Sequence, residues 1–448
     1  MNNLARKVIR GGVWAVLGRL CSAALGIAAS LLVARLIPPY DMGVYFLASS
    51  AAAFLAVFSS FGLPVTAMRF IASREGDSGR TGAIQVALSS LVYGCALALV
   101  VAVAFAAGIG QTLAATLFNS SALESLTSVI AAWGFLLAVQ NLITEICRGF
   151  HRIDLAVLSG GLLSGGLLAG VLLAGIGGGI NMTLSTILMV TLLTVGLSWL
   201  SAIPLARQMW PWAIRHDRAS LGNLFRTAWP IWLHGLAVFA LMQGSIWIIG
   251  AFASKEDVAV YGVASRLAAI FSLVNGMVYA FLPPIIVQLN SRNDKANLQR
   301  LVRGTAAVAG GIMLPALALC LLIPERLLIL MFGDYYVAGS VVLMALSFAN
   351  FFNLITGMRG YLLLVCGYER LQLAIALVGG SGTLFMVYFG VSNWGISAAA
   401  IGACIGLVFQ CAIEVAAVRM RFGIWTFAWC SRADLRSLLE KKGRPSTY

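Results

Sequence analysis

One arginine, Arg19, stands inside the first long apolar run of the chain, which covers residues 12–37. If this run is a membrane helix, the helical rise places the charge roughly 10 Å inside the apolar layer. A charge at that depth costs several kcal/mol unless it is paired or solvated. The planar guanidinium group suits phosphate oxygens, with which it forms bidentate hydrogen bonds. Arg19 is therefore a candidate anion-binding residue, and a snorkelling or structural arginine is the alternative.

Small and polar side chains recur every three or four residues along three of the apolar runs, which places them on one face of a helix. The stripes are Gly12, Ala15, Arg19, Ser22, Gly26 and Ser30; Tyr45, Ser49, Ala52, Ala56 and Ser59; and Tyr261, Ser265, Ala268, Ser272, Asn275 and Tyr279. Such faces serve either close helix packing or a water-filled cavity that admits a polar ligand. From them we predict these ligand-binding residues: Arg19, Ser22, Tyr45, Ser49, Tyr261, Ser265 and Asn275.

Three further titratable or charged groups lie inside apolar runs. Arg266 falls about 140° from the stripe of its own run, so it either lines a cavity from another side or pairs locally. His234 could carry a proton or a hydrogen bond, and Glu414 has no obvious partner one turn away. We add Arg266 to the predicted ligand-binding residues and name His234 and Glu414 as candidate coupling residues, with structural roles as the alternative.

The elements that must position these residues are transmembrane helices. The chain of 448 residues is 60% hydrophobic and only 10% charged, with a mean hydropathy of +0.93, whereas a soluble chain is about 25% charged. About 20 apolar residues span a bilayer as a helix. We predict twelve spans: 12–37, 43–63, 82–109, 126–146, 155–176, 180–203, 228–252, 258–287, 304–323, 338–365, 371–390 and 396–418.

Positive charge alternates between successive loops and predicts the orientation. Most of the 30 Lys and Arg residues fall on the side of the N-terminal arm. The opposite side has only Arg35, near the end of the first run, Lys255 and Arg326. Under the positive-inside rule both termini are cytoplasmic. We expect no cleavable signal peptide, because the first apolar run is long and no small-residue cleavage site closes it. The basic side faces anionic headgroups, and nucleic acid is not an expected partner.

An internal repeat divides the chain. Three pairs of short segments match at nearly one spacing: 41–45 with 257–261, 117–119 with 331–333, and 149–152 with 367–370. Six spans per half give both halves the same direction, so we predict two six-helix lobes related by a pseudo-two-fold axis along the membrane normal. The predicted domains are a lobe at 1–203, a cytoplasmic linker at 204–227, a lobe at 228–418 and a basic tail at 419–448.

Signatures of common enzymes are missing from the sequence. It contains no GxxxxGK[ST] loop, GxSxG elbow or HExxH motif, and its eight cysteines are scattered without a CxxC pair. We therefore predict a protein without enzymatic activity, cofactor, metal or bound nucleotide. The alternative from another class is a membrane enzyme or assembly subunit of a glycan pathway, which would need an acidic pair or a large outer loop.

Two segments resemble a known family. Residues 325–336, ERLLILMFGDYY, resemble the Gly-acid-Tyr segment of bacterial polysaccharide exporters, and residues 34–45, ARLIPPYDMGVY, are similar to their turn after the first helix. The group is the Wzx-type flippases of the multidrug/oligosaccharidyl-lipid/polysaccharide exporter superfamily. The chain has twelve predicted spans, whereas the related lipid II flippases carry two more.

The resemblance implies an alternating-access flippase of the cell inner membrane. It would move undecaprenyl-diphosphate-linked oligosaccharide to the periplasmic leaflet for exopolysaccharide, capsule or O-antigen assembly, beside a polymerase and export machinery. The superfamily's cationic cavity carries over to Arg19 and Arg266. A drug or small-metabolite exporter of the same superfamily is the alternative.

Overall fold

The computed structural model describes residues 2–77, 79–179, 182–209, 221–292 and 294–428, and these residues form helices and turns without a strand. Within them, eleven helices are long and apolar enough to cross a membrane, and α1 adds the shorter apolar stretch Leu20–Leu36. The predicted all-helical polytopic class is confirmed. By contacts the chain divides into two compact units, unit 1 (Met1–Ala259) and unit 2 (Val260–Tyr448).

Unit 1 contains twelve α-helices among the described residues, and a thirteenth, α13 (Lys255–Ala268), begins in it. They are α1 (Asn2–Leu36), α2 (Pro39–Ser60), α3 (Leu63–Asp77), α4 (Gly79–Ala104), α5 (Gly110–Phe118), α6 (Ser121–Ser125), α7 (Thr127–Gly149), α8 (Ile153–Val157), α9 (Leu163–Gly177), α10 (Leu184–Ser198), α11 (Ile203–Met209) and α12 (Leu221–Phe252).

Unit 2 continues from α13 with eight further α-helices. They are α14 (Ile270–Phe281), α15 (Pro283–Ser291), α16 (Lys295–Leu322), α17 (Pro324–Phe332), α18 (Ser340–Ile355), α19 (Arg359–Val365), α20 (Glu369–Trp394) and α21 (Ile396–Phe422). The core here joins α15, α16, α19, α20 and α21, and the residues at its centre are Ile286, Val302, Leu362, Leu363 and Val418.

Backbone chemistry explains where α2 begins and ends. Pro39 occupies the first turn, where its missing N–H has no helical partner to lose. The helix ends where Phe61 and Gly62 adopt positive φ values of 46° and 71°. Gly62 also permits close packing, because a Cβ at this position would lie 2.3 Å from the carbonyl oxygen of Ala228 in α12. This turn therefore allows α12 to pack closely against α2 and α3.

An aromatic seam holds α12 in unit 1. The indole N–H of Trp232 donates to the carbonyl oxygen of Phe58 (2.9 Å), and that of Trp247 donates to the hydroxyl of Ser50 (2.7 Å). Phe54 packs edge-on against Trp247 with ring centroids 5.3 Å apart. By contacts α12 thus belongs with unit 1, although the sequence places this span at the start of the second lobe. The predicted domain limits, including the linker whose residues 210–220 lie outside the described part, stay a prediction.

Four predicted spans contain interruptions. The span predicted at 82–109 runs into a π-helical turn, Phe105–Ile109, around Gly108, and the span at 155–176 contains another, Leu158–Leu162, around Gly161. The span predicted at 338–365 is two helices, α18 and α19, because Gly357 between them has φ +78°. The run predicted at 258–287 comprises α13, α14 and the start of α15, where Pro283 and Pro284 lack the N–H groups that would continue α14.

Candidate substrate and coupling residues

The predicted stripe of α2 lies largely in the interior of unit 1. Tyr45 is buried and its ring packs against Trp133, with centroids 6.0 Å apart. The Ser49 hydroxyl donates to the carbonyl oxygen of Phe46 in its own helix (2.9 Å). This face therefore includes close-packed positions as well as the half-buried Ser49.

The α1 stripe is described in part. Arg19 lies within α1, but its side chain is outside the described part of the structure. Ser22, one turn further along, is half-buried. His234, the coupling candidate of α12, is exposed. The anion-binding role of Arg19 remains a prediction.

The predicted residues of α13 and α14 divide into exposed and buried positions. Arg266 is exposed, whereas Tyr261 and Asn275 are buried at 4% and 8% exposure. The Ser265 hydroxyl donates to the carbonyl oxygen of Gly262 (2.8 Å). Arg266 therefore occupies an exposed position away from the stripe of its own helix.

Glu414 does have a partner, on another helix. Its Oε2 lies 2.9 Å from Nε of Arg359, and both side chains are about 95% buried. Its Oε1 accepts from Nε2 of Gln372 (3.0 Å) and from Nε2 of Gln410 (3.2 Å). The carboxylate therefore has one ion-pair partner and two amide hydrogen-bond donors, all within unit 2.

The two terminal nitrogens of Arg359 donate hydrogen bonds to groups at the break between α18 and α19. Its Nη1 donates to the carbonyl oxygens of Asn353 and Gly357, both at 3.1 Å, and to the hydroxyl of Thr356. Its Nη2 donates to Oδ1 of Asn353 (2.7 Å) and contacts the sulfur of Cys411. A cation at a helix C-terminus is favourable because it meets the unpaired carbonyls. We call Arg359, Glu414, Gln372 and Gln410 the α18–α19 polar lock.

Unit 1 has a neutral polar cluster between α7, the π-helical turn Leu158–Leu162 and α10. Nε2 of Gln140 in α7 donates to the carbonyl oxygen of Ser159 (2.8 Å), at the π-helical turn, and to the hydroxyl of Ser198 in α10 (3.0 Å). Thr144 adds a hydroxyl contact with Ser159 (3.2 Å). Each unit therefore contains an interrupted helix whose freed carbonyl groups are satisfied by a side chain from within the unit.

Arg359 is the residue that the sequence analysis missed. It sits inside the run predicted at 338–365 and had no assigned role, while Glu414 had no assigned partner. The signal was present, because two opposite charges in apolar spans of one half are expected to pair. Among the described residues, no group of three or more His, Cys, Asp or Glu side chains could hold a metal ion.

A comparison with protein families matches residues 8–290 to the family described as "Polysaccharide biosynthesis protein". This match covers more than half of the chain, so the protein belongs to the polysaccharide biosynthesis family, to which the Wzx-type flippases belong. A search of curated proteins gives no match.

Solved structures with the same fold are transporters of the MOP superfamily. One, a multidrug resistance MATE family transporter in an inward-facing conformation, has a TM-score of 0.73 at 18% identity, over 96% of this chain and 100% of that one. Another, a MOP superfamily transporter from Pyrococcus furiosus whose binding pocket is described as reversed in polarity, has a TM-score of 0.62 at 19% identity, over 93% and 95% of the two chains. The comparisons therefore show the family of this chain and a fold that it shares with MOP superfamily transporters.

Proposed function

We propose that this protein is a flippase that moves undecaprenyl-diphosphate-linked oligosaccharide from the cytoplasmic to the periplasmic leaflet of the inner membrane. The observation that carries the proposal is the polysaccharide biosynthesis family match over residues 8–290, on a chain with the fold of MOP superfamily transporters. The family match supports a role in polysaccharide biosynthesis. The shared fold supports movement of a substrate across a membrane. The product would pass to a polymerase and export machinery.

The chemical problem is the polar head of such a lipid. A diphosphate and its sugars lose their hydration in the apolar layer, and charged groups there cost several kcal/mol unless they are paired. Arg19 and Arg266 would meet the diphosphate through charged hydrogen bonds. The hydroxyl and amide groups of Ser22, Tyr45, Ser49, Tyr261, Ser265 and Asn275 would meet the sugars.

Transport in one direction needs an energy source, and the coupling candidates differ in their surroundings. His234 is exposed on α12. Glu414 is held by an ion pair with Arg359 and by two amide hydrogen bonds, so it takes part in coupling only if Arg359 releases it in another state of the cycle. Both termini would be cytoplasmic, in agreement with the charge asymmetry.

Reconstitution into vesicles tests the function directly. The substrate is an undecaprenyl-diphosphate oligosaccharide with a fluorophore on its sugar, and an impermeant reductant quenches only the outer leaflet. We expect the protected fraction to fall toward zero in vesicles that contain the protein and to persist in protein-free vesicles. A phospholipid with the same fluorophore on its headgroup controls for leaky vesicles and general scrambling.

The same vesicles give a different result if the protein is a drug or metabolite exporter. Uptake of a cationic dye under an ion gradient, together with unchanged protection of the lipid-linked oligosaccharide, would replace the flippase with a drug or metabolite exporter.

A further inference from the structure

A surface groove of about 410 Å³ lies in unit 2, beside the break between α18 and α19. Its walls are the side chains of α18 and α21, including Phe352 and Ala416, and its end is formed by the residues that follow α21. We call residues 423–428 the strap. The side chains that line the groove are apolar except for Thr356 and Arg419, so the groove suits a hydrocarbon chain that ends in an anion.

The strap is fixed to unit 2. The backbone N–H of Ala428 donates to the carbonyl oxygen of Ile355, the last residue of α18 (2.8 Å), and the N–H of Trp425 donates to Oε1 of Gln299 (3.1 Å). Thr426 is fully buried, and the ring of Phe427 packs edge-on against Phe352 at 6.2 Å. Hydrogen bonds and ring packing therefore hold the strap, which forms one end of the groove, against the rest of unit 2.

Arg419 and Trp425 mark the level of the lipid headgroups. The guanidinium group lies 4.9 Å from the Trp425 ring and donates to the carbonyl oxygen of Gly423 (2.8 Å). Arg419 is nonetheless exposed, and a guanidinium group has five N–H donors. Trp and Arg at the end of an apolar helix are typical of the membrane interface. The charge asymmetry puts this end of α21 at the cytoplasmic leaflet, where anionic lipids are concentrated.

The groove continues from this level toward the apolar layer. Its lining positions on α21 run from Ala412 to Met420, which is about 12 Å along a helix. A chain that lies in the groove would contact α18, α21 and the strap together. Its headgroup would meet Arg419, whose charge is complementary to a phosphate.

We propose that this groove is a binding site for an anionic phospholipid of the cytoplasmic leaflet. Its phosphate pairs with Arg419 and its acyl chain fills the groove, and the bound lipid fastens the strap to α18 beside the polar lock. This site is separate from the residues proposed to bind the transported substrate, so the lipid acts on the stability of unit 2.

Arg421 provides a matched control. It lies in the same last turn of α21, is also exposed, and stacks over Tyr368 at 5.4 Å outside the groove. Purified full-length wild type, Arg419→Ala and Arg421→Ala are mixed with phosphatidylglycerol or phosphatidylcholine. Retained lipid is counted by native mass spectrometry, and the increase in melting temperature on adding lipid is recorded for each variant.

We expect Arg419→Ala to retain about fivefold less phosphatidylglycerol, the factor expected for one basic residue beside an anionic surface. The melting increment should shrink with it, whereas Arg421→Ala should behave as wild type. Ala416→Trp, which fills the groove, should lower retention while leaving Arg419 in place. Because the increment compares each variant with itself, a variant that is merely less stable still gives a clear result. Equal losses in both arginine variants, or equal retention of phosphatidylcholine by the wild type, would overturn the proposal.

Discussion

The Arg359–Glu414 pair is a deeply buried charge pair of unit 2. Removing one partner of a buried pair leaves an uncompensated charge, at a cost of about 3–5 kcal/mol. We therefore expect Arg359→Met to lower the free energy of unfolding in detergent by about that amount. The double variant Arg359→Met, Glu414→Leu should recover part of the loss, because no lone charge remains. Losses that simply add in the double variant would show that the two residues act independently.

One substitution distinguishes a structural role of Glu414 from a role in coupling. If the carboxylate serves only the polar lock, Glu414→Gln should lower the melting temperature while transport per folded molecule keeps its dependence on a pH gradient. We expect this result, since Arg359, Gln372 and Gln410 all contact the carboxylate and hold it in place. A stable Glu414→Gln protein whose transport no longer responds to the gradient would instead assign the residue to coupling. His234→Gln, on an exposed position, is measured in parallel.

Arg19 makes a sharper prediction about substrate. If it binds the diphosphate, Arg19→Ala should reduce substrate affinity by roughly 10- to 150-fold, the factor for a charged hydrogen bond. Arg19→Lys should recover part of the affinity, because it keeps the charge but not the bidentate geometry. Flipping is measured per unit of membrane-inserted protein. An Ala variant with low protein levels but normal specific activity would give Arg19 a structural role.

At the scale of helices, the sequence predicts where apolar runs lie but not where they break. Runs of apolar residues suffice to predict the transmembrane helices, because span length is set by the bilayer. The break at Gly357 and the kinks at Gly108 and Gly161 escape this reasoning, since glycine is also common in unbroken transmembrane helices. The partner of Glu414 escapes it too, because Arg359 lies 55 positions away and only tertiary packing brings the two together.

The repeat has counterparts in the local backbone of the two units. Asn119 ends α5 with φ +47°, and Gly333 follows α17 with φ +108°. After α7, the backbone N–H of Arg152 donates to the carbonyl oxygen of Cys147, five residues earlier. After α19, the backbone N–H of Tyr368 donates to the carbonyl oxygen of Leu363 at the same spacing. The first match falls on the predicted pair 117–119 and 331–333, whereas the second aligns Arg152 with Tyr368, two positions before its predicted partner Arg370. The repeat stays a prediction. The third pair includes the first turns of α2 and α13.

The packing of α2 in unit 1 depends on Gly43. A Cβ at this position would lie 1.7 Å from the carbonyl oxygen of Lys255. We expect Gly43→Ala to destabilise the protein by about 1–3 kcal/mol through overpacking. Gly170→Ala is the control, since this helical position has no atom within 4 Å, and it should leave stability unchanged or raise it through helix propensity. Thermal unfolding of the two variants in one detergent gives the comparison. Equal melting temperatures would show that α2 can move without cost.

At the scale of the whole molecule, composition and charge predict a polytopic membrane protein, and the resemblance of two segments predicts its family and a transport function. They do not identify the sugar, because amides and hydroxyls of the predicted stripes would bind many glycans. The family match and the fold agree with the class for a physical reason. Eleven of the predicted apolar runs are present as membrane-length helices in the described residues, and this all-helical architecture is the one that the MOP superfamily structures share.

Orientation is the whole-molecule prediction that charge alone makes. Single cysteines in a background without the eight native cysteines report exposure to an impermeant thiol reagent in intact cells. Arg215→Cys and Lys442→Cys, at positions outside the described residues, should stay unlabelled because the positive-inside rule places them in the cytoplasm. On the opposite side, Ser120 is buried at 3% exposure, so the exposed neighbour Ser121 is the better reporter and should be labelled. Labelling after lysis confirms that the silent cysteines are reactive. If Arg215→Cys is labelled in intact cells while Ser121→Cys is not, the protein has the opposite orientation, and the proposed direction of flipping along its basic side must be reversed.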